Sequence, residues 1–265
     1  HIVEIFDFGE ERDASGKPSA FYFVMELLEG ETLTHRLGHD GLKIDRSLHV
    51  ARQIASALGA AHKLGVVHRD LKADNVFLTR WRDDREFVKV LDFGVAKLTH
   101  ATEGAPIVST IEGAIVGTPV TMSPEQVAGD DVDHRTDVYA LGVLLYQMLS
   151  GTLPFEADSF VKLAGMVWTQ PPKPLPQKTP QGEVIPADLL KLVMRCLEKD
   201  KTKRIQSMDE MLVALDALTG AAGNSSDRRL HSVSSQVKPS SRMRWFGPVI
   251  GAIAGVTFAA WAVKM

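Results

Sequence analysis

The hydrophobic pattern of this chain changes from extended to helical within its first 65 residues. Two apolar runs, Ile2 to Phe8 and Phe21 to Leu27, flank the polar stretch Glu10 to Ser19, which predicts two strands joined by a hairpin loop. After Gly41 the apolar residues recur at helical spacing, which predicts a helix that ends near Gly65. Short strands and loops are expected from there to about residue 125.

Three further helices are predicted in the second half of the chain. The segment Thr136 to Leu149 is apolar nearly all round, which is typical of a central buried helix. Ala187 to Leu197 and Met208 to Leu218 have amphipathic spacing, and Cys196 is expected at a buried position of the first of these two helices. The proline-rich segment Pro171 to Pro186 is interpreted as a connecting loop, with a ligand for a proline-reading domain as the alternative.

The last part of the chain has a different composition. Residues 219–244 are rich in Ser, Gly and basic residues and predict a disordered juxtamembrane linker. Residues 245–263 contain no charge and would span roughly 28 Å as a helix, which predicts a transmembrane helix rather than a buried core helix. Gly247, Gly251 and Gly255 are spaced for helix packing in lipid, so a homodimer is possible.

Charge and cysteine content narrow the location and the partners. Arg242 and Arg244 precede the predicted span and only Lys264 follows it, which predicts a single-pass membrane protein whose large domain is cytoplasmic. The net charge of -3 and the isoelectric point near 6.3 argue against nucleic acid as a partner. A single cysteine cannot form an internal disulfide, which fits a reducing compartment.

Two motifs carry the candidate chemistry. Residues 68–75 read HRDLKADN and follow an apolar pair, and residues 91–94 read LDFG and follow a predicted strand at Phe87 to Val90. Phosphoryl transfer needs a carboxylate to accept the proton of the attacking hydroxyl, a cation near the moving phosphoryl group, and oxygen ligands for magnesium. Asp70, Lys72, Asn75 and Asp92 fit those needs.

In this order the two motifs resemble the eukaryotic-like serine/threonine protein kinases of bacteria, over residues 1 to about 218. The resemblance implies an α+β, two-lobed protein kinase-like fold. Residues 1–27 would be strands of an incomplete β-rich N-lobe and the start of the hinge, and a mainly helical C-lobe would follow, before the linker and the one C-terminal transmembrane helix. It also implies ATP and Mg²⁺ as cofactors and Ser or Thr hydroxyls of proteins as substrates.

The resemblance assigns roles to individual residues. Asp70 and Lys72 would be catalytic, and Asn75 and Asp92 would hold the metal, with Asp92 also in the ATP site. Met25 would be the gatekeeper, the backbone of Glu26 and Leu28 would meet the adenine, and Phe77 would lie beneath it. The remaining assignments are regulatory or structural: the motif glycine Gly94, the phosphate receptor Arg69, the candidate phosphorylation sites Ser109, Thr110 and Thr118, the pair Glu125 and Arg204, and Asp137, which would hold the catalytic loop by its backbone amides.

One departure leaves two functions open. No glycine-rich loop, strand lysine or helix glutamate lies upstream of the hinge, which predicts that the chain is truncated at its N-terminus and has weak or no activity as written. The alternative is a catalytically impaired, pseudokinase-like membrane scaffold that holds partners on its large lobe. Because a scaffold needs neither a proton acceptor nor two magnesium ligands, the enzyme is favoured. A small-molecule kinase is disfavoured by the segment Gly117 to Glu125, which resembles a peptide-positioning segment.

Overall fold

The computed structural model describes residues 1–13, 15, 18–38, 40–93 and 120–220. Across these residues the chain forms a small β portion followed by a mainly helical portion. The strands are β1 (Ile5–Arg12), β2 (Pro18–Met25), β3 (Gly30–Thr32), β4 (Val76–Trp81) and β5 (Asp84–Val90). The helices are α1 (Leu33–Leu37), α2 (Ile44–Lys63), α3 (Pro124–Ala128), α4 (Arg135–Ser150), α5 (Phe160–Thr169), α6 (Ala187–Cys196) and α7 (Met208–Leu218), and a single 3₁₀ turn covers Ala73–Asn75.

The strands form two separate antiparallel sheets. β1 and β2 make a hairpin in which Ile5 lies opposite Met25. The second sheet has the order β3-β4-β5. The first residues of the chain extend this second sheet in parallel, because the N–H of Val3 donates to the carbonyl of Val90 at 3.0 Å and the N–H of Val90 donates to the carbonyl of His1 at 2.7 Å. The chain start is therefore tied to the strand that leads into Asp92.

The predicted first strand and hairpin loop are wrong in their bounds. Residues 1–3 pair with the end of β5, whereas the residues from Ile5 onward pair with β2. The run Ile2 to Phe8 is therefore divided between two sheets rather than forming one strand. Both strands of the hairpin also continue into the stretch Glu10 to Ser19 that was expected to be loop. An apolar run predicts extended backbone but not its pairing partner, and backbone hydrogen bonds can continue through polar residues that face solvent.

The core of the helical portion is built around α4, whose residues from Thr136 to Leu149 are buried apart from Gln147, as its all-round apolar pattern predicts. It packs against α2 and α6, and α2 also packs against α7. Gly142 allows the close approach of α6, since a Cβ atom there would lie 2.5 Å from the Cβ of Cys196. Cys196 is fully buried, as predicted, and burial raises the pKa of its thiol to about 12, so it is not a reactive group.

The helices predicted at Thr136 to Leu149, Ala187 to Leu197 and Met208 to Leu218 are confirmed as α4, α6 and α7, to within one residue at each end. The predicted stripe after Gly41 is α2, which ends at Lys63, two residues before Gly65 with its φ of +75°. Helices α1, α3 and α5 were not predicted. α1 and α3 have only five residues each, too few to show a periodic pattern, and α5 is apolar over most of its length.

Several predicted features lie outside the described residues. These are Gly94, Ser109, Thr110 and Thr118, all but the first two residues of the predicted linker, and the predicted span at 245–263. Among the helices of the described ranges, none combines the length and the apolar character needed to cross a membrane.

Candidate active site

The segment that carries the first motif runs from the end of α2 to the start of β4. It contains one residue with an unusual backbone, because Arg69 has a φ of +67°, a region that only a few per cent of non-glycine residues occupy. The segment then closes in the 3₁₀ turn at Ala73–Asn75, where the N–H of Asn75 donates to the carbonyl of Lys72 at 3.0 Å. The turn leads directly into β4, which begins at Val76.

Asp70, Lys72 and Asn75 form one contact group. The ammonium of Lys72 donates to Oδ2 of Asp70 at 3.1 Å. The side-chain amide of Asn75 donates to the backbone carbonyl of Asp70 at 2.9 Å and to its Oδ2 at 3.2 Å. The carboxylate of Asp70 is half-exposed, whereas Asn75 is buried. Asp70 is thus oriented by two neighbours and still open to a substrate hydroxyl.

The second motif is joined to this group through the backbone. The N–H of Leu91, the residue before Asp92, donates to the carbonyl of Asn75 at 2.8 Å, so the backbones of the two motifs are bonded at this point. Asp92 is exposed and has a φ of +55°, a second strained position in the site. Since Nδ2 of Asn75 is engaged by Asp70, its Oδ1 is the atom left for a cation. An amide oxygen and a carboxylate form the hard oxygen donor set that Mg²⁺ prefers, so these residues fit the expected metal.

The buried side chain of His68, in the first motif, contacts the backbone of both motifs. Its Nε2 lies 2.8 Å from the carbonyl of Leu91, while its Nδ1 accepts the N–H of Asp70 at 3.3 Å. A carbonyl can only accept, so Nε2 is the donor in the contact with Leu91. The ring also packs against Phe93 at a centroid distance of 4.7 Å. His68 therefore fixes the distance between Asp70 and the strand that presents Asp92.

Asp137 holds the same segment from the first turn of α4. Its carboxylate is fully buried and accepts the backbone N–H groups of His68 and Arg69, each at 2.9 Å. Nε2 of His62, at the end of α2, lies 2.7 Å from the same carboxylate. The contact to two backbone amides, which the resemblance implies, is present in the structure. A buried carboxylate needs such donors, because an unpaired charge would be costly at this position.

The backbone of Arg69 is hydrogen-bonded to side chains of two helices, α4 and α3. Its N–H bonds Asp137, and its carbonyl accepts from Nε2 of Gln126 in α3 at 2.7 Å. The Nε of its guanidinium is buried and has no hydrogen-bond partner among the described residues. The residues expected to supply a phosphate to Arg69, namely Ser109, Thr110 and Thr118, are outside the described ranges.

Glu125 and Arg204 form a buried bidentate ion pair. Nη1 and Nη2 of Arg204 each lie 2.7 Å from one oxygen of Glu125, and both side chains are more than nine-tenths buried. The remaining donors of Arg204 bond the carbonyls of Glu198, Arg135 and Lys199, so all five guanidinium N–H groups are used. Burial acts to raise the pKa of Glu125, but the hydrogen bonds and charge of Arg204 outweigh it and the pKa is lowered.

The residues expected to meet the adenine lie between β2 and β3 and on β4. Glu26 and Leu28 are half-buried on the connection, Met25 is exposed, and Phe77 is half-buried on β4. The carboxylate of Glu26 is engaged by Nζ of Lys89 in β5 at 2.6 Å, and this hydrogen bond lowers its pKa. The ion pair ties the connection to the strand that leads to Asp92.

The comparison with protein families agrees with this geometry. The model of the protein kinase domain matches residues 1–214. The chain belongs to the protein kinase family. The described part of this chain accordingly has a protein kinase fold with mixed α/β content and a partial N-lobe. A crystal structure of Rad53 1–466 in complex with AMP-PNP matches it with a TM-score of 0.61 and 25% identity, and covers 81% of this chain and 49% of that chain.

Bacterial serine/threonine kinases are among the relatives of this chain. Serine/threonine-protein kinase pkn3 of Myxococcus xanthus is 39% identical over 217 residues, which is 82% of this chain and 38% of the relative. Serine/threonine-protein kinase A of Synechocystis is 39% identical over 226 residues, which is 82% of this chain and 41% of the relative. The chain therefore spans about two fifths of the length of these two kinases.

Sequence reasoning missed three residues that support the candidate site. His62 bonds Asp137, Gln126 bonds the carbonyl of Arg69, and Lys89 bonds Glu26. Each contact joins residues far apart along the chain, so no local spacing indicates it. A weak signal exists for Lys89 alone, because a lysine inside the half-buried strand β5 needs an acidic neighbour or a route to solvent.

Proposed function

We propose that this chain carries the phosphoryl-transfer site of a serine/threonine protein kinase, which moves the γ-phosphoryl group of ATP to Ser or Thr hydroxyls of proteins. The observation that carries the proposal is the contact group of Asp70, Lys72 and Asn75, joined through the carbonyl of Asn75 to the residue before Asp92. It combines an accessible carboxylate, a cation and two oxygen ligands at one place. Those are the parts that phosphoryl transfer requires.

The side chains divide the chemistry between them. Oδ2 of Asp70 already accepts from Lys72 and Asn75, so the other carboxylate oxygen is the one that receives the proton of the attacking hydroxyl. The ammonium of Lys72, held 3.1 Å from Asp70, places positive charge where the transferred group passes. Bound Mg²⁺ neutralises charge on the ATP phosphates, and Oδ1 of Asn75 and the carboxylate of Asp92 would hold it.

Two sequence features support a hydroxyl of Ser or Thr as the acceptor. Lys72 follows Asp70 by two residues, and in the family that this chain resembles such a lysine accompanies serine/threonine specificity, as does the residue at Thr118. The names of the relatives from Myxococcus xanthus and Synechocystis agree with this substrate class. Protein substrates follow from the same resemblance.

The proposal extends to a single-pass membrane protein with a cytoplasmic kinase domain. It is supported by the uncharged run at residues 245–263, by Arg242 and Arg244 on one side of it, and by the lone Lys264 on the other. A homodimer through the glycine face of this run remains a prediction. Flotation of the full chain with lipid vesicles, compared with a variant that carries two aspartates at Ile253 and Ala254, tests the span. Equal flotation of both proteins contradicts it.

Magnesium-dependent ATP binding by the full chain tests the catalytic proposal. Calorimetry is expected to show binding that needs Mg²⁺ and that is lost in Asp92→Ala. Asp158→Ala is the matched control, because Asp158 is an exposed aspartate that contacts only Lys162 by side-chain bonding in the described residues. Binding that survives Asp92→Ala contradicts the assigned role. Absence of any binding favours the scaffold alternative for this chain.

A further inference from the structure

The connection between β2 and β3, residues 26–29, is tied at both ends to the sheet β3-β4-β5. At its start, Oε1 of Glu26 accepts from Nζ of Lys89 in β5 at 2.6 Å. At its end, the backbone carbonyl of Glu29 accepts from Oγ1 of Thr79 in β4 at 2.7 Å. A side chain of the sheet therefore holds each end of the connection by a polar contact.

Both of these side chains lie on the face of the sheet that carries Phe77. Phe77 is directly opposite Lys89 across β4 and β5, and Thr79 is two residues further along β4. Residues that are opposite in an antiparallel pair, or two apart on one strand, point to the same face. At Gly30, the first residue of β3, a Cβ atom would lie 3.0 Å from Cε1 of Phe77 and 2.1 Å from the carbonyl oxygen of Leu78. The absence of a side chain at Gly30 therefore lets the end of the connection approach β4 beside Phe77.

The ion pair of Lys89 with Glu26 is partly shielded from water. The two side chains are 17% and 25% exposed, so their charges are screened less than those of fully exposed surface pairs. Oε1 of Glu26 also accepts the N–H of Glu4 at 2.8 Å, and the N–H of Glu26 donates to the carbonyl of Glu4 at 3.0 Å. The carboxylate that Lys89 holds therefore belongs to the same set of contacts that fixes the backbone of Glu26.

We propose that Lys89 is a positioning residue for adenine, which acts through the carboxylate of Glu26 to set where the connection lies relative to Phe77. The inference deepens the proposed function and rests on it, because it concerns the base of the same ATP site. Adenine carries an amino group that donates and ring nitrogens that accept. The backbone of Glu26 and Leu28 would supply a carbonyl and an N–H to match them, provided that the connection stays level with a ring lying on Phe77. Loss of the ammonium of Lys89 frees the start of the connection, so the fit to the base suffers rather than the hold on the phosphates.

Binding of two nucleotides to the full chain tests this role, because a purely structural role for Lys89 would weaken both alike. Calorimetry in the presence of Mg²⁺ compares ATP with inosine triphosphate, whose base carries a carbonyl in place of the amino group of adenine. The wild-type chain is expected to bind ATP more tightly. In Lys89→Met the preference for ATP is expected to fall about 5-fold, the order expected for one neutral hydrogen bond. Lys89→Arg keeps a cation at this place and is expected to retain the wild-type preference.

Two further variants separate the ion pair from other effects of the substitution. Glu26→Gln breaks the pair from its other side and keeps an oxygen for the N–H of Glu4, so its preference is expected to fall by the same factor. Lys173→Met removes a lysine from an exposed pair with Glu156 and is expected to bind both nucleotides as the wild type does. An unchanged preference in Lys89→Met, or in Glu26→Gln if Lys89→Met does not fold, overturns the role of Lys89.

The wild-type chain distinguishes failure of this role from failure of the proposed function. If it binds ATP and inosine triphosphate equally well, the connection does not read the base and the role of Lys89 is wrong, whereas the phosphoryl-transfer site stands. If it binds neither nucleotide, the proposed function fails for this chain and the role of Lys89 fails with it.

Discussion

The carboxylate of Asp137 accepts the backbone N–H of Arg69 at 2.9 Å, across 68 positions of the chain. This bond and its partner at the N–H of His68 hold the loop that carries Asp70 in a backbone conformation that Arg69 would otherwise avoid. The geometry of the candidate active site thus depends on one buried side chain of α4 that never touches a substrate.

Asp137→Asn is therefore expected to lower the free energy of unfolding by about 3 kcal/mol. The amide offers one acceptor oxygen where three donors now converge, and its NH₂ group would face one of them. Urea unfolding measures the loss. The matched control is Asp216→Asn, which removes a charge from an exposed pair with Arg52 and is expected to change stability by less than about 1 kcal/mol. Equal effects of the two substitutions would contradict the role of Asp137.

Arg204→Met tests the buried ion pair with Glu125. It leaves a carboxylate that is 6% exposed with only the hydroxyl of Thr136 as a side-chain donor, so a loss of about 3–5 kcal/mol is expected. Arg52→Met, at the exposed pair with Asp216, is expected to cost less than about 1 kcal/mol. The double variant Glu125→Gln with Arg204→Met is expected to be less destabilised than Arg204→Met alone, because no unpaired charge remains. A double variant that is the less stable of the two would argue against an ionised Glu125.

The parts of the site that could be predicted are those that lie close together along the chain. Asp70, Lys72 and Asn75 fall within one short segment, so their contact follows from the turn that the segment makes. The pairs of Asp137 with the loop and of Glu125 with Arg204 were expected from the resemblance alone. They join residues 68 to 79 positions apart, which no local spacing can indicate.

The β portion shows the limit of the hydrophobic pattern most clearly. Apolar alternation predicts extended backbone for Ile2 to Phe8, yet His1 and Val3 bond Val90 while Ile5 pairs with Met25. Phe8, which a strand pattern would place against a core, is 73% exposed. Pairing and burial of a strand are decided by what packs on it, and that is not encoded in the strand itself. The long helices were predicted better because the placing of their apolar residues, on one face of α2, α6 and α7 and all round α4, contains the packing information.

The lowered pKa of Glu125 predicts a specific pH dependence. A carboxyl group whose folded pKa lies below its ordinary value of 4.5 adds stability that is present above that value and is lost as the pH falls through the folded pKa. The difference in unfolding free energy between the wild-type chain and the double variant Glu125→Gln with Arg204→Met is therefore expected to be constant near neutral pH and to shift against the wild type below about pH 4.5. Most other acidic groups are common to both proteins and cancel, and Asp200, whose pKa is lowered in small part by the charge of Arg204, adds a contribution of the same sign. Urea unfolding between about pH 7 and pH 3 measures this, and a constant difference over that range would count against the proposed coupling.

Asp70→Asn separates chemistry from folding. The half-exposed side chain of Asp70 is bonded only by Lys72 and Asn75, and an asparagine oxygen can keep one of those bonds, so stability is expected to change by less than about 1 kcal/mol. The proton acceptor is lost, however, and phosphoryl transfer to a generic protein substrate is expected to fall at least about 100-fold. A single-turnover assay with radiolabelled ATP measures this even if transfer by the wild-type chain is slow. The control is Asp158→Asn, at an exposed aspartate on the turn before α5, which should transfer phosphate at the wild-type rate. If Asp70→Asn and Asp158→Asn transferred phosphate equally well, Asp70 would not be the proton acceptor, and the contact group with Lys72 and Asn75 would be a structural one.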